Sequence, residues 1–261
     1  MRLAHLRIPQ VTKYSAVADI QTRLVNQVLQ YKSTSTSTSS APSPDNPPPD
    51  ATIITAQFHP VYTCGRREIG TVSAAQRAFL RTEGRADFVE ALRGGQTTFH
   101  GPGQLVAYPI VDLKRLGHVR GGKDGQGLSP RCYVRLLEDS AIATIARWGI
   151  PGQRTEHAGV WTSPERKIAA LGLHLRRNVT SHGVALNVDP DLWWFERIVA
   201  CGLEGKETTS MEREGVPGVP VLDVADAFVA ELAGRLHVDD ADVYRVHLTG
   251  VGGAEPVGRG P

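Results

Sequence analysis

The amino-acid sequence predicts an α/β (α+β) fold, in which helices flank a mixed, largely antiparallel sheet. Helical and strand-like patterns alternate along the chain, and no internal repeat is visible. The helix candidates are residues 15–32, 131–150 and 221–238, where apolar side chains recur every three to four positions. The chain has 261 residues, which is enough to bury a real core.

The strand candidates lie mainly in three segments. Residues 51–65 predict a strand, a turn and a second strand, and residues 158–188 predict three β segments. Residues 103–113 form a further strand candidate. Pro109 within it favours an edge position, because proline has no backbone N–H to give to a neighbouring strand.

We expect a single domain over residues 1–238, interrupted by a disordered insertion at 33–50. The insertion is a Ser/Thr run followed by prolines, and it has no apolar residue able to anchor a core. The strand pattern resumes directly after it, so it lies inside the domain. Residues 239–261 form a C-terminal extension that we expect to be partly flexible.

Composition excludes several classes of protein. The net charge is only +2, which does not indicate a nucleic-acid binder. The three cysteines do not suit a disulfide framework, and no CxxC pair supports a zinc ribbon. No apolar run approaches the roughly 20 residues of a membrane helix. The basic N-terminus is compatible with a mitochondrial presequence, although LAHLRI (3–8) also fits a first strand, which we favour.

The segment RGGQTTFHGPGQ (93–104) has four glycines, one proline and one histidine between two strand-like patterns. Dense glycines let backbone N–H groups approach a ligand closely, although a plain tight loop is the simpler alternative. The segment lacks the Gly-Lys-Ser/Thr ending of a phosphate-binding P-loop. It does not open a helix either, so it is not a dinucleotide-binding motif.

Four further residues are candidates for chemistry, and each has an ordinary structural alternative. His100 and His182 are both followed by glycine, which modestly favours a shared site. Lys167 directly precedes an apolar segment, where it either snorkels to the surface or acts as a desolvated amine in proton transfer. Cys201 is a buried filler, half of a disulfide, a metal ligand or a nucleophile.

Several separated motifs, in this order and spacing, resemble the lipoyl (octanoyl) transferase family: RGGQTTFHGPGQLVAYPIVDL, GVWT…RKIAALGLHL…VTSHGVALNV and ACG…TTSM. The resemblance extends from about residue 3 to about residue 236. Members of this family move an octanoyl group from acyl carrier protein to a lysine of a lipoate-dependent protein. They share their fold with biotin and lipoate protein ligases, and the resemblance implies that no cofactor or metal is needed.

The resemblance also implies residue roles. Cys201 matches the nucleophile that carries the acyl group as a thioester, and Lys167 matches the lysine that favours its thiolate form. Three segments match substrate-binding loops, and His182 joins them because of its His-Gly pair. The substrate-binding candidates are Arg93, Gly94, Gly95, Gln96, Thr97, Thr98, Phe99, His100, Ala170, Leu171, Gly172, His182, Gly183, Val184 and Ala185.

A cysteine nucleophile suits such a reaction because thiolate attack on a thioester is nearly isoenergetic, so the acyl-enzyme can form an amide without ATP. The implied partners are octanoyl-acyl carrier protein as donor and lipoyl domains as acceptors. We expect a mitochondrial monomer that binds neither nucleic acid nor membrane. The alternatives are an ATP-dependent lipoate or biotin protein ligase of the same fold and a non-catalytic protein that binds carrier or lipoyl domains.

Overall fold

The computed structural model describes residues 1–37, 47–119, 121–123, 126–198 and 205–246, without the side chains of residues 35–37 and 123. Short 3-10 turns occur at Thr82–Gly84, Leu113–Arg115 and Asp240–Asp242. No helix in these ranges is long and apolar enough to cross a membrane. The helices are α1 (Tyr14–Ser37), α2 (Ala74–Arg81), α3 (Pro130–Ala146), α4 (Trp193–Glu196) and α5 (Val221–Arg235).

The strands form one large sheet, one small sheet and one hairpin. They are β1 (Leu3–Thr12), β2 (Ala51–Phe58), β3 (Val61–Cys64), β4 (Asp87–Glu90), β5 (Thr98–His100), β6 (Gln104–Ile110), β7 (Gly122–Lys123), β8 (Gly127–Leu128), β9 (Val160–Trp161), β10 (Arg166–Arg176), β11 (Val179–Asn187), β12 (Glu207–Thr208) and β13 (Val243–Val246). The large sheet has the order β12-β10-β11-β6-β2-β1-β13, with β9 added beside β10. Its β10, β11, β6 and β2 are antiparallel neighbours, whereas β1 pairs in parallel with β2 and β13. The expected mixed sheet is confirmed.

Helices cover both faces of the large sheet, because its inner strands are apolar on both sides. Along β6, Leu105 and Ala107 pack on the side of α3 and α5. The alternate residues Val106 and Tyr108 pack on the side of α1. This alternation follows from the two-residue period of a strand, and it produces a three-layered α/β/α domain.

Pro109 lies in the interior of the sheet, so the expected edge position of β6 is wrong. The paired register of β6 with β11 ends at Ala107 and Val184. Beyond it, the hydroxyl of Thr180 donates to the carbonyl of Pro109 over 2.7 Å and accepts from the N–H of Val111 over 2.9 Å. A side chain thus bridges the place where proline interrupts the ladder, which a propensity argument does not anticipate.

Two boundaries differ from those expected from the sequence. Helix α1 extends to Ser37, so residues 33–37 of the expected disordered insertion continue a helix. Residues 38–46 lie outside the described residues. At the other end, β13 pairs in parallel with residues 3–6 of β1, so the sheet includes part of the extension expected to begin at residue 239.

The small sheet has the order β4-β3-β5, and its strand β5 lies within the glycine-rich segment 93–104. Its apolar side encloses a cluster of aromatic residues. Phe99 stacks on Trp194 with ring centroids 5.1 Å apart and also contacts Tyr62. Because β5 leads directly towards β6, this sheet holds residues 93–100 against the large sheet.

Candidate active site

A cleft lies where the small sheet meets β6, β10 and β11. Twelve of the fifteen substrate-binding candidates line it, together with Tyr108, which the sequence did not single out. The lining residues are Arg93, Gly95, Gln96, Thr98, His100, Tyr108, Ala170, Leu171, Gly172, His182, Gly183, Val184 and Ala185.

The first lining segment, residues 93–97, is a loop that is tied down at several points. The buried guanidinium of Arg93 donates to the hydroxyl and the carbonyl of Thr63 on β3. The N–H of Gly94 donates to the carbonyl of Leu173 on β10 over 2.8 Å. These bonds join the loop to β3 of the small sheet and to β10 of the large sheet. Both sheets therefore hold this wall of the cleft in place.

The other two lining segments are strands rather than the expected loops. Ala170 pairs with Ala185, and the pairing continues regularly through residues 171–172 and 183–184 of β10 and β11. Gly183 permits a close approach of β6, because a Cβ there would lie 2.3 Å from the carbonyl oxygen of Ala107. Strands give the cleft a more rigid wall than loops would.

Three of the expected binding residues do not line the cleft. Gly94 and Thr97 belong to the anchored loop, and both the N–H and the hydroxyl of Thr97 donate to the carboxylate of Glu68 over 2.6 Å. Phe99 is buried in the aromatic cluster of the small sheet. These three residues hold the neighbouring lining residues in place but do not line the cleft themselves.

His182 sits on β11 with a backbone φ of +56°, which is unusual for a residue other than glycine. Its N–H donates to the side-chain oxygen of Gln21 on α1 over 2.6 Å. Gln21 is itself buried. A polar residue of a helix therefore fixes a strained strand residue in the cleft, and sequence analysis missed it because single glutamines on helices are common on surfaces.

The two histidines of the cleft are neutral at pH 7. Burial lowers the pKa of His100 to about 4 and that of His182 to about 3, and the nearby Arg93 guanidinium acts in the same direction. One ring nitrogen of each, Nε2 of His100 and Nδ1 of His182, is buried without a hydrogen-bond partner. Burial also raises the pKa of Tyr108, so its hydroxyl stays protonated.

Lys167 lies near the start of β10 and is 6% exposed. Its ammonium nitrogen donates to the carbonyl of Ala158 over 3.2 Å and lies 4.6 Å from the ring centroid of Trp161. Of the two alternatives for Lys167, this burial favours a desolvated amine over a side chain that snorkels to the surface. Cys201, its expected partner, lies outside the described residues, so the distance between the two remains a prediction.

No group of three or more metal-ligating side chains occurs within the part of the chain that the structure describes. Cys64 is a buried thiol whose pKa is raised by burial, and Cys132 is half-buried at the start of α3. Both fit the structural roles that small apolar residues play.

Comparison with known proteins identifies the family. The family model described as "Lipoyl protein ligase A/B catalytic domain" matches residues 29–233, well over half of the chain. A Schizosaccharomyces pombe protein named "probable octanoyltransferase" is 47% identical over 207 residues, which cover 79% of this chain and 83% of that protein. The chain belongs to the octanoyltransferase family. The resemblance seen in the sequence motifs is thereby confirmed.

Two further comparisons extend this result. The mitochondrial octanoyl-acyl-carrier-protein:protein N-octanoyltransferase of Xenopus tropicalis is 40% identical over 181 residues, or 69% of this chain and 70% of that protein. Among solved structures, a bipartite lipoate protein ligase from Thermoplasma acidophilum superposes with a TM-score of 0.59 at 13% identity, covering 95% of this chain and 87% of that one. The structural likeness confirms the expected ligase-like fold of this octanoyltransferase.

Proposed function

We propose that this chain is an acyltransferase that moves an octanoyl group from acyl carrier protein to a lysine of a lipoyl domain, through an acyl-thioester on Cys201. The observation that carries the proposal is the cleft. Two motifs that are far apart in the sequence, within residues 93–113 and 159–188, meet there, and both resemble the octanoyltransferases. Relatives that share 40–47% identity bear octanoyltransferase names.

In the first half of the reaction, the thiolate of Cys201 attacks the thioester carbonyl carbon. The bond from that carbon to the carrier's sulfur breaks, and the carrier leaves as a thiol after taking a proton. The apolar walls supplied by Leu171, Val184 and Ala185 suit the hydrocarbon chain, which loses contact with water on binding. The ammonium of Lys167 favours the thiolate electrostatically.

In the second half, the neutral ε-amine of the acceptor lysine attacks the same carbonyl carbon. The bond to the sulfur of Cys201 breaks, an amide forms, and one amine proton has to leave. Lys167, once it has given its own proton to the departing carrier, can accept this one. The energy stored in the thioester makes ATP unnecessary.

The location and assembly of the protein follow the same reasoning. The Xenopus tropicalis relative is named as mitochondrial, and we assign this chain the same location. We also propose that the chain acts as a monomer. Sedimentation equilibrium across a range of concentrations tests this second point, and a stable dimer would contradict it.

Intact-mass analysis tests the activity directly. The chain is mixed with octanoyl-acyl carrier protein in the absence of ATP, and the expected result is a mass increase of one octanoyl group. The variant Cys201→Ser should lose this thioester, whereas Cys132→Ser should retain it because that cysteine lies on α3. If a lipoyl domain were modified only when ATP is present, the chain would be a ligase instead.

A further inference from the structure

A chain of side-chain amides connects His100 to the backbone near Lys167, and its direction can be deduced. The carbonyl of Thr209 can only accept, so the side-chain nitrogen of Asn187, 2.9 Å away, must face it. The side-chain oxygen of Asn187 then faces the nitrogen of Gln104, also at 2.9 Å. That nitrogen lies 3.3 Å from a second carbonyl, that of Phe99, which requires the same orientation.

The orientation of Gln104 fixes the tautomer of His100. Its side-chain oxygen is left facing Nδ1 of His100 over 2.7 Å, and because this oxygen has no proton, Nδ1 must carry one. The ring is neutral, since burial lowers its pKa to about 4. Nε2 therefore bears a lone pair, and it is a buried acceptor without a partner in the structure.

A buried acceptor without a partner destabilises a folded protein unless something else binds it. His100 is one of the residues that line the cleft, so a molecule that enters the cleft and displaces the atoms around Nε2 can supply the missing donor. The octanoyl chain has no N–H or O–H group. The acceptor amine has at least two N–H groups, and a neutral ring adds no positive charge that would repel it.

We propose that Nε2 of His100 accepts a hydrogen bond from the ε-amine of the incoming lysine. Gln104 and Asn187 are positioning residues that hold the required tautomer. The amine assignment rests on the proposed function, whereas the tautomer of His100 rests on the hydrogen-bond directions alone.

The same chain of bonds extends towards Lys167. Thr209, whose carbonyl accepts from Asn187, donates through its own N–H to the carbonyl of Lys167 over 2.9 Å. A series of hydrogen bonds thus links the imidazole of His100 to strand β10, which carries Lys167. This arrangement places the acceptor for the amine and the proposed proton acceptor on a common framework.

Nitrogen NMR of protein with ¹⁵N-labelled histidine tests the tautomer. The resonance of His100, assigned by its loss in His100→Asn, should show a protonated Nδ1 and an unprotonated Nε2 at pH 7. A protonated Nε2 would overturn the proposal. The measurement uses the wild-type chain and needs no activity, and His100→Gln provides the same assignment if His100→Asn folds poorly.

Two substitutions test the role in transfer. His100→Asn keeps an amide donor near the position of Nδ1 but removes Nε2, whereas His100→Gln places an amide near the position of Nε2. In single-turnover experiments, His100→Asn should slow transfer from isolated acyl-enzyme to a lipoyl domain about tenfold, which is the typical effect of one lost hydrogen bond. Acylation by the carrier should change less than about twofold, and His100→Gln should recover part of the transfer rate.

The controls separate the possible failures. His59→Asn, at an exposed histidine outside the cleft, should leave both half-reactions unchanged. Unchanged transfer in His100→Asn would overturn the proposal. Equal slowing of acylation would also overturn it, because Nε2 would then bind an N–H of the carrier's thioester arm. If the wild-type chain formed no acyl-enzyme, the proposed function and the amine assignment would both fail.

Discussion

Lys167 and Thr209 are joined backbone to backbone, because the N–H of Thr209 donates to the carbonyl of Lys167 over 2.9 Å. The preceding residue, Thr208, pairs with Lys167 in the parallel register of β12 and β10. The backbone of Lys167 is therefore held independently of its side chain. This separation allows the role of the ammonium to be tested without loss of the strand.

Lys167→Met should slow acylation of Cys201 at least tenfold while leaving the fold intact. Methionine keeps an apolar stem beside Trp161 but removes the positive charge, and a one-unit shift in a thiol pKa changes the thiolate fraction about tenfold. The acylation rate is followed by mass spectrometry. Lys206→Met is the matched control, since Lys206 donates to Pro164 in an exposed contact. An unchanged rate would remove Lys167 from the mechanism.

Gly183→Ala should destabilise the protein by about 1–3 kcal/mol, the usual cost of overpacking. The new Cβ would lie 2.3 Å from the carbonyl oxygen of Ala107 and 2.8 Å from Cδ of Pro109, so strands β6 and β11 would have to separate. Gly234→Ala on α5 should instead stabilise the helix by up to about 1 kcal/mol, because nothing lies within 4 Å of its Cβ position. Urea unfolding measures both, and a neutral Gly183→Ala would show that the strands can move apart freely.

Gln21→Met should destabilise the fold by about 1–3 kcal/mol, because it leaves the buried N–H of His182 without an acceptor. The same change should lower activity, since His182 holds its left-handed conformation in the cleft wall. Gln27→Met, at an exposed position of the same helix, should have little effect. Equal stability of the two variants in urea would contradict the anchoring role of Gln21.

Stability should fall as the pH drops below about 6.5, the ordinary pKa of histidine. Burial lowers the pKa of His5 and His100 to about 4 and that of His182 to about 3, so the unfolded chain binds more protons than the folded one between these values and 6.5. Each histidine contributes a slope of up to about 1.4 kcal/mol per pH unit in that window, and none above it.

Urea unfolding at a series of pH values from 7.5 to about 4.5 measures this slope. Burial raises the pKa of the Glu138 carboxyl. In the pH range where this carboxyl titrates, the folded chain binds more protons than the unfolded one, so Glu138 adds stability as the pH falls. A free energy of unfolding that stayed constant from pH 7.5 to about 5 would show that the three histidines are not buried as described.

The sequence was sufficient for the parts of the fold that depend on local pattern. The pattern of residues 158–188 predicted β9, β10 and β11, whereas most of the cleft lining was predicted through the resemblance to the octanoyltransferases. Tyr108 escaped notice because an aromatic residue in a strand is ordinarily core. Pro109 was misplaced at an edge because its compensation by Thr180 comes from a strand some 70 residues away.

Gln21 illustrates a second kind of omission. Its function depends on a hydrogen bond to a residue 161 positions away, and no local signal distinguishes it from a solvent-exposed glutamine. The tautomer of His100 is of the same kind, because it is set by residues from β6, β11 and the segment after β12. Such features arise from packing between distant elements and become visible only when the elements are placed together.

The pairing of β13 with β1 bears on how the protein can be shortened. A chain cut after Val238 would expose the N–H and C=O groups of Leu3 to Leu6, which β13 covers in the full chain. Such an open edge invites pairing between copies, and natural sheets commonly protect it. Removal of the last 23 residues as a dispensable tail would thus be expected to favour aggregation rather than yield a minimal catalytic fragment.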